Sequence, residues 1–250
     1  MSDVVRVAMW SGPRNISTAM MRAFENRPDT VVVDEPLYAA YLARTGLDHP
    51  VREEVIASQA TDLDTVVAEL SAPLPPGCRV HYAKHMAHHV PRDMDLSWTL
   101  PFRNVLLIRE PVEVIASYVR ARETVDFEPE DIGLPQQARL LELWEEHGVE
   151  VPVVDAGEFL RAPEAHLRRL CDWLGIEFTE RMLSWPAGPR ESDGVWAPHW
   201  YDAVWSSTGF QPWRPRETSL SGHEAAVAEA CRPIYAALHA RRLRISATAG

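Results

Sequence analysis

Short apolar runs alternate with longer, helix-like stretches along most of the chain. Five runs rich in valine, leucine, isoleucine and alanine have the length and the nearly continuous hydrophobicity of buried strands in a parallel sheet. The stretches between them place apolar residues three or four positions apart, as amphipathic helices do. This alternation predicts the α/β class: a single domain over residues 1–250 with a five-stranded parallel sheet flanked by helices. The strands are predicted at residues 4–10, 30–33, 79–83, 104–108 and 151–154.

The predicted helices follow the strands in turn, and residues 185–216 break the pattern. That segment is rich in tryptophan and proline and shows little periodicity. Its aromatic side chains suit either the wall of a binding site or the packing of an irregular region. The helices are predicted at residues 16–27, 37–70, 112–122, 135–147, 163–175 and 222–243.

Polar residues collect where the predicted strands end. Arg14 follows the first strand and Glu35 the second. Lys84 and His85 follow the third, and Arg109 follows the fourth. Parallel strands end at one edge of their sheet, and α/β proteins bind ligands beyond that edge. The sequence therefore predicts one site shared by these side chains.

The single lysine of the chain belongs to this set. Lys84 is the only lysine among the 25 basic residues. Codon bias is one explanation for so many arginines. The other is that position 84 needs a compact point charge instead of a planar guanidinium.

Charge and composition limit the partners. The chain has a formal net charge of −11 and a pI of about 5.4. This argues against nucleic acid or an anionic membrane surface as partner, since both call for a broad basic face. No apolar run approaches the roughly 18 residues of a membrane span, and no signal-peptide pattern opens the chain. The sparse cysteines Cys78, Cys171 and Cys231 suit a reducing compartment, so a cytoplasmic protein is expected.

The first strand-to-helix junction has the composition of an anion site. Residues 11–18 read S-G-P-R-N-I-S-T, in which Gly12 permits a sharp turn and Ser17 and Thr18 open a helix. Free amides at a helix N-terminus bind phosphate or sulfate, and Arg14 adds a charged donor. An ordinary helix cap would use the same residue types. The Gly-Lys pair of a Walker A loop is missing.

A second motif follows the fourth strand and carries a resemblance. Residues 109–118 read R-E-P-V-E-V-I-A-S-Y, with Arg109 and Ser117 eight positions apart. This pattern resembles the 3′-phosphate loop of sulfotransferases that use 3′-phosphoadenosine-5′-phosphosulfate (PAPS). Residues 13–18 are then similar to the 5′-phosphosulfate loop of that family. The resemblance implies PAPS as co-substrate, no required metal, and donor binding by Arg14, Asn15, Ile16, Ser17, Thr18, Arg109 and Ser117.

Further stretches support the resemblance or depart from it. Residues 153–176 are similar to the late strand and helix of the family. The family usually has Ser-Gly where this chain has Asn15-Ile16, and many members have an adenine-stacking tryptophan at Ala19. The basic C-terminal segment of the family corresponds to Arg214 or Arg216.

The reaction that the resemblance implies needs charge stabilisation and a base. Arg14 suits the leaving oxygens, and Lys84 lies where a family lysine reaches the same oxygens. Two residues are candidates for the base that takes the proton of the acceptor: Glu35, in a Glu-Pro pair like that of some bacterial carbohydrate sulfotransferases, and His85. Glu35 is favoured. The histidines of residues 85–89 alternatively suggest zinc.

The predicted function is sulfuryl transfer from PAPS to a hydroxyl or amine of a small-molecule acceptor. The tryptophan-rich residues 185–216 would cover the acceptor side. Two alternatives remain at this stage. One is an atypical P-loop kinase, which the missing Gly-Lys pair disfavours, and the other is a nucleotide-binding module that kept the fold without the chemistry.

Overall fold

A five-stranded parallel sheet organises the protein. The computed structural model describes residues 4–122, 126–215 and 218–245. The strands run in the order β2-β3-β1-β4-β5, and every neighbouring pair is parallel. This confirms the predicted five-stranded α/β fold. The strands are β1 (Val5–Ser11), β2 (Thr30–Asp34), β3 (Val80–Met86), β4 (Arg103–Ile108) and β5 (Val153–Asp155).

Helices cover both faces of the sheet, and none of those in the described ranges is both long and apolar enough to span a bilayer. The α-helices found there are α1 (Ser17–Glu25), α2 (Tyr38–Thr45), α3 (Arg52–Ser58), α4 (Leu63–Ser71), α5 (Pro111–Arg122), α6 (Pro129–Ile132), α7 (Leu134–Glu146), α8 (Ala156–Arg161), α9 (Pro163–Leu174), α10 (Ala197–Trp200), α11 (Asp202–Trp205) and α12 (Gly222–Ala240).

The sheet separates two apolar cores because successive strand side chains point to opposite faces. Trp10 and Leu106 face the core formed with α5, α7 and α12. Met9 and Leu107 face the core formed with α1 and α9. The cysteines Cys171 and Cys231 are buried as free thiols, one in each core.

Two predicted elements differ in extent from those observed. The single helix expected at residues 37–70 is three helices, because Gly46 ends α2 in the left-handed conformation at a φ of 69°. The third strand was predicted to stop at residue 83 but continues to Met86. Lys84 and His85 therefore lie inside β3 and point to opposite faces.

The strand order creates a switch point beside β1. The chain leaves β1 toward β2 and β3 on one side and later enters β4 on the other. The loops after β1 and β4 are therefore neighbours at the carboxyl edge, where such sheets bind ligands. Gly12 lies at this point. A Cβ there would come within 2.1 Å of the carbonyl oxygen of Ile132, so a close approach of two backbones requires glycine.

Candidate active site

A cavity of about 360 Å³ opens at the carboxyl edge of β1–β4. Its size lies within the usual range for small-molecule sites, roughly 300–1,000 Å³. The loops after β1 and β4 form one side, and β3 with the segment around α10 and α11 forms another. Of the residues predicted for the site, the lining includes Arg14, Asn15, Ile16, Ser17, Thr18, Glu35, Lys84, Arg109 and Ser117.

The two anion-binding motifs are bonded to each other. The guanidinium of Arg109 donates to the backbone oxygen of Arg14 at 2.8 Å, and Arg14 Nε donates to Ser117 Oγ at 3.1 Å. Arg109 is also held by Glu113, one turn along α5, at 2.9 Å. The chain thus brings the residues of both motifs into one preformed pocket, although they are far apart in sequence.

Asn15 fixes the loop after β1. It belongs to the Asn15-Ile16 pair, which stands where the family that the sequence resembles usually has Ser-Gly. Its Nδ2 donates to the carbonyl oxygen of Leu107 at 3.1 Å, and its Oδ1 accepts the amide of Ile16 at 2.8 Å. Arg14 takes a positive φ of 54° without being a glycine. Such strain in a non-glycine residue is often found at functional sites. α1 then begins at Ser17, and Ser17 and Thr18 line the cavity at the end of the helix whose first amides have no partner within it.

The electrostatics of this half of the cavity favour an anion. Burial and the charge of Arg109, followed by two further arginines of α5, lower the pKa of Arg14. Among the described residues Arg14 has no ion pair with a carboxylate. Glu113 pairs with Arg109, but Arg14 is held near other guanidiniums with no acidic partner of its own in the described chain, in a protein whose net charge is −11. A phosphate or sulfate ligand would relieve that repulsion.

A buried ion cluster borders the same cavity through Glu35, Lys84 and Tyr201. The ammonium of Lys84 donates to Asp34 Oδ1 at 2.8 Å, to Glu35 Oε1 at 2.6 Å and to Tyr201 Oη at 2.6 Å. These three bonds use all its hydrogens. The Tyr201 hydroxyl donates in turn to Asp34 Oδ2 at 2.7 Å. A compact ammonium can make this three-way contact and a planar guanidinium cannot, which gives the single lysine of the chain a physical reason.

Glu35 is the less satisfied carboxylate of the cluster. Asp34 accepts from Lys84, Tyr201 and the amide of Gly194, whereas Glu35 has its close bond from Lys84 alone. Burial raises the pKa of Glu35 above its ordinary value; the ammonium of Lys84 offsets part of this effect, and the Asp34 charge adds to it. Burial alone would lower the pKa of Lys84, but both carboxylates outweigh it and raise that pKa well above its ordinary value.

The backbone of Glu35 is strained as well. Its φ is 43°, and its amide donates to the carbonyl oxygen of Lys84 at 2.9 Å. The turn ends β2 beside β3 and directs the carboxylate into the cavity. Arg14, Glu35 and Val51 are the non-glycine residues of the described chain with positive φ, and the first two line the cavity. Strain of this kind indicates a position held for function.

Replacing Lys84 by methionine is expected to lower the free energy of unfolding by about 3–5 kcal/mol, because two carboxylates would stay buried without a cation. Urea unfolding measures the change. Tyr201→Phe is the matched control, since it removes one buried hydrogen-bonding group of the cluster and keeps the ammonium. We expect a smaller loss for Tyr201→Phe. Equal losses in the two variants would show that the charge of Lys84 does not hold the cluster together.

His85 does not reach the cavity. It lies on the opposite face of β3 from Lys84, where its ring stacks on Trp10 with centroids 4.1 Å apart. Both ring nitrogens are buried without a hydrogen-bond partner in the described structure, and burial lowers the pKa of His85 to about 3. The prediction that His85 lies in the site is therefore wrong. The sequence pattern predicts that β3 stops at residue 83, and a strand that stops there would leave the His85 side chain free to face the cavity.

Two other histidines of the same stretch line the cavity instead. His88 and His89 follow β3, and the ring of His89 stacks between Tyr38 and Tyr41 at centroid distances of 4.6 and 4.8 Å. His89 Nε2 lies 4.0 Å from Glu35 Oε2. Burial lowers the pKa of His88 to about 3 and that of His89 well below its ordinary value, so both rings are neutral. The part of the chain that is described holds no cluster of metal-ligating side chains.

The tryptophan-rich segment does both things that its composition suggested. Trp200 and Tyr201 line the cavity. Trp185 and Trp196 are buried in apolar clusters. The segment is anchored where Asp193 pairs with the buried guanidinium of Arg22 on α1. The candidate Arg216 lies outside the described residues.

Some residues in or beside the cavity carry no signal in the sequence. Asp34, which shares the ammonium with Glu35, reads as an ordinary strand end. Tyr38 and Arg122 lie on helices with nothing to mark them as functional, and both line the cavity. Their roles depend on contacts between distant segments, which hydrophobic periodicity does not report.

Comparison with known proteins identifies the family of this fold. The sequence model of one protein family, described as "Sulfotransferase domain", matches residues 5–242. Among solved structures, a sulfotransferase from Alicyclobacillus acidocaldarius is similar with a TM-score of 0.56 at 13% identity, and the match covers 96% of this chain and 97% of that one. The sulfotransferase domain of the Synechococcus PCC 7002 olefin synthase has a TM-score of 0.54 at 17% identity, with 92% and 95% covered. At these identities the likeness concerns the fold.

Curated relatives are more similar in sequence. The branched-chain-amino-acid aminotransferase-like proteins 1 and 2 of Arabidopsis thaliana are 35% and 34% identical over 238 and 227 residues. The matches cover 94% and 90% of this chain but 42% and 40% of those proteins. The chain thus spans less than half the length of the curated relatives it matches.

Proposed function

Because the chain belongs to the sulfotransferase domain family, we propose that it transfers a sulfuryl group from PAPS to a hydroxyl or amine of a small molecule. The observation that carries the proposal is the pocket in which Arg14, Arg109 and Ser117 meet at the N-terminus of α1. Two guanidiniums, hydroxyls and helix amides suit a donor with anionic groups at both its 3′ and 5′ positions.

In this proposal the donor nucleotide lies across the loops after β1 and β4. Arg109 and Ser117 bind the 3′-phosphate, while Arg14, Asn15, Ile16, Ser17 and Thr18 hold the 5′ side. The adenine occupies the apolar part of the lining, to which Ala19, Leu160 and Phe210 belong. A purine ring suits such a surface, since it can stack on the ring of Phe210. No metal is needed to hold this donor, because the chain supplies the cationic groups.

PAPS would supply the transferred sulfuryl group, and the residues of the chain would position and deprotonate the acceptor. Glu35 is the proposed base, supported by its place in the cavity and its raised pKa. Lys84 orients Glu35 through their 2.6 Å bond. It does not bind the leaving oxygens as the sequence predicts, because Asp34, Glu35 and Tyr201 accept its three hydrogens. As the acceptor oxygen or nitrogen bonds to sulfur, its proton goes to Glu35, the bond from sulfur to the bridging oxygen breaks, and 3′-phosphoadenosine-5′-phosphate (PAP) leaves with that electron pair. Arg14 and the α1 amides stabilise the departing charge.

The cavity, the net charge and the cysteines bear on the acceptor, the partners and the compartment of the reaction. The acceptor is a small molecule, since the cavity is about 360 Å³ and is bordered by the segment around α10 and α11. The net charge of −11 gives no support to nucleic acid or membrane partners. The free, buried thiols Cys171 and Cys231 are compatible with the cytoplasm, where we place the activity.

A transfer assay tests the proposal. The protein is incubated with PAPS and a library of small hydroxyl and amine compounds, and mass spectrometry follows sulfated products and PAP. We expect at least one compound to gain a sulfuryl group with release of one PAP per product. ATP in place of PAPS should give no phosphorylated product. Phosphorylation with ATP would favour the kinase alternative, and binding of PAP without any transfer would favour a module that lost the chemistry.

A further inference from the structure

Across the residues that the structure describes, one cation of the cavity makes no hydrogen bond or ring contact to the residues assigned to the donor. Arg122 ends α5 and lines the cavity, and its guanidinium lies 5.1 Å from the ring centroids of both Tyr118 and Trp200. Its neighbours are aromatic side chains and His49, whereas Arg14 and Arg109 contact Ser117 and Glu113. Rings that pack against a guanidinium leave its edge available for hydrogen bonds.

The Arg122 contact determines the tautomer of His49. Arg122 Nη1 lies 3.3 Å from His49 Nε2. A guanidinium nitrogen can only donate, so Nε2 must accept and carry no proton. Burial and the charge of Arg122 lower the pKa of His49 to about 4, in keeping with a neutral ring. The single ring proton of His49 is therefore on Nδ1.

This tautomer directs the hydroxyl of Tyr38. His49 Nδ1 lies 2.9 Å from Tyr38 Oη and, being protonated, donates to it. The Tyr38 proton must then point away from His49. In the part of the chain that is described, no acceptor for that proton is found, and Tyr38 lines the cavity. Arg122 and Tyr38 thus present a guanidinium and an O–H donor to the same space, linked through one neutral histidine.

Such a pair of donors fits an anion that is not the donor nucleotide. Within the described ranges Arg122 forms no ion pair with a carboxylate. Burial and Arg122 lower the pKa of His49 against the charge of Asp48, and burial, aided by the charge of Asp131, raises the pKa of Tyr118. A carboxylate or phosphate monoester would accept from both donors together. Charge-assisted bonds of this type discriminate strongly against neutral isosteres.

The anion site and the proposed base lie at two ends of one wall. His89 stacks on Tyr38 with centroids 4.6 Å apart, and its Nε2 is 4.0 Å from Glu35 Oε2. The wall therefore runs from Glu35 past His89 and Tyr38 to Arg122. A molecule lying along it would present one end to the base and the other to the cation.

We propose that the acceptor is an anionic molecule, with its hydroxyl or amine at Glu35 and a carboxylate or phosphate bound by Arg122 and Tyr38. This inference rests on the proposed sulfotransferase function and names the substrate class of the same site. Arg122 is then a specificity residue, because it binds the end of the acceptor that does not react.

The test uses matched pairs of acids and neutral compounds as acceptors. Three pairs that differ only in charge span aromatic, aliphatic and sugar compounds: 4-hydroxybenzoate with 4-hydroxybenzamide, glycolate with glycolamide, and glucuronate with glucuronamide. Each is titrated by calorimetry into the protein saturated with PAP, and sulfation by PAPS is followed in parallel. We expect an acid to bind at least about tenfold tighter than its neutral partner, as loss of a charge-assisted bond implies. Failure of every acid to bind, or a neutral member binding tighter, overturns the inference.

Variants separate acceptor binding from donor binding. Arg122→Gln should abolish the preference for acids, and Tyr38→Phe should reduce it, while both bind PAP as the wild type does. Arg168→Gln is the control, because it removes an arginine that is exposed on α9 and outside the cavity lining. A preference that survives Arg122→Gln contradicts the inference. So does weaker PAP binding in Arg122→Gln, which would assign this residue to the nucleotide. If the wild type does not bind PAP, the sulfotransferase function itself is contradicted.

Discussion

Replacing Glu35 by glutamine is expected to lower turnover with PAPS by about 10²–10⁴-fold, the usual contribution of a well-placed base. Glutamine keeps the shape of the side chain and cannot take the proton of the acceptor. The affinity for PAP should stay within about twofold, because Glu35 is bonded to Lys84 and not to Arg109 or Ser117, to which we assign the 3′-phosphate. Steady-state rates with an acceptor from the transfer assay, together with PAP titration, measure both quantities. Wild-type turnover in Glu35→Gln would remove Glu35 from the mechanism.

The pH dependence of the wild type gives a second measure of the same group. Burial raises the pKa of Glu35, and a base must be unprotonated to act, so kcat should fall as the pH drops through that raised pKa. The acid limb is therefore expected above the ordinary range for glutamate. Lys84 keeps its proton across this range, since its pKa is raised well above its ordinary value. In Glu35→Gln the residual activity should lose this limb; an unchanged limb would assign it to another group.

Replacing Arg109 by alanine is expected to weaken PAP binding by about 10–150-fold, which corresponds to the roughly 1.5–3 kcal/mol of a hydrogen bond to a charged group. The reason is the loss of the guanidinium that we assign to the 3′-phosphate. Calorimetric titration gives the dissociation constant.

The nucleotide itself supplies the control for Arg109→Ala. AMP shares the adenosine and the 5′-phosphate of PAP but lacks the 3′-phosphate. Its weaker binding should therefore be nearly the same in the wild type and in Arg109→Ala. An equal loss for both nucleotides would mean that the variant disturbs the whole pocket, because Arg109 also bonds to the backbone of Arg14.

The sequence predicts the sheet and the meeting of its strand ends for good physical reasons. Continuous apolar runs identify buried parallel strands, and the edge where such strands end is set by their direction. Arg14 and Arg109 were expected at that edge on this ground, and the structure joins them through a 2.8 Å bond. Correct strand positions and the switch point beside β1 are enough to predict that these two residues share a pocket.

The remainder of the site depends on contacts that a linear pattern does not contain. A polar pair inside a strand looks like the end of that strand, so β3 was predicted too short and His85 was expected in the cavity. In fact the carboxylates of Asp34 and Glu35 compensate the buried charge of Lys84, and β3 continues to Met86. The contacts from Arg122 to His49 and from His49 to Tyr38 likewise connect α5 with α2 and the loop after it, and the sequence pattern does not report them.

The most direct test of a PAPS-dependent enzyme is to titrate the purified protein with PAP, with ATP and AMP as controls. We assign the 3′-phosphate to the pocket of Arg14, Arg109 and Ser117, so PAP should bind tightly and both controls much more weakly. Equal binding of ATP, or no binding of PAP, would contradict the central claim.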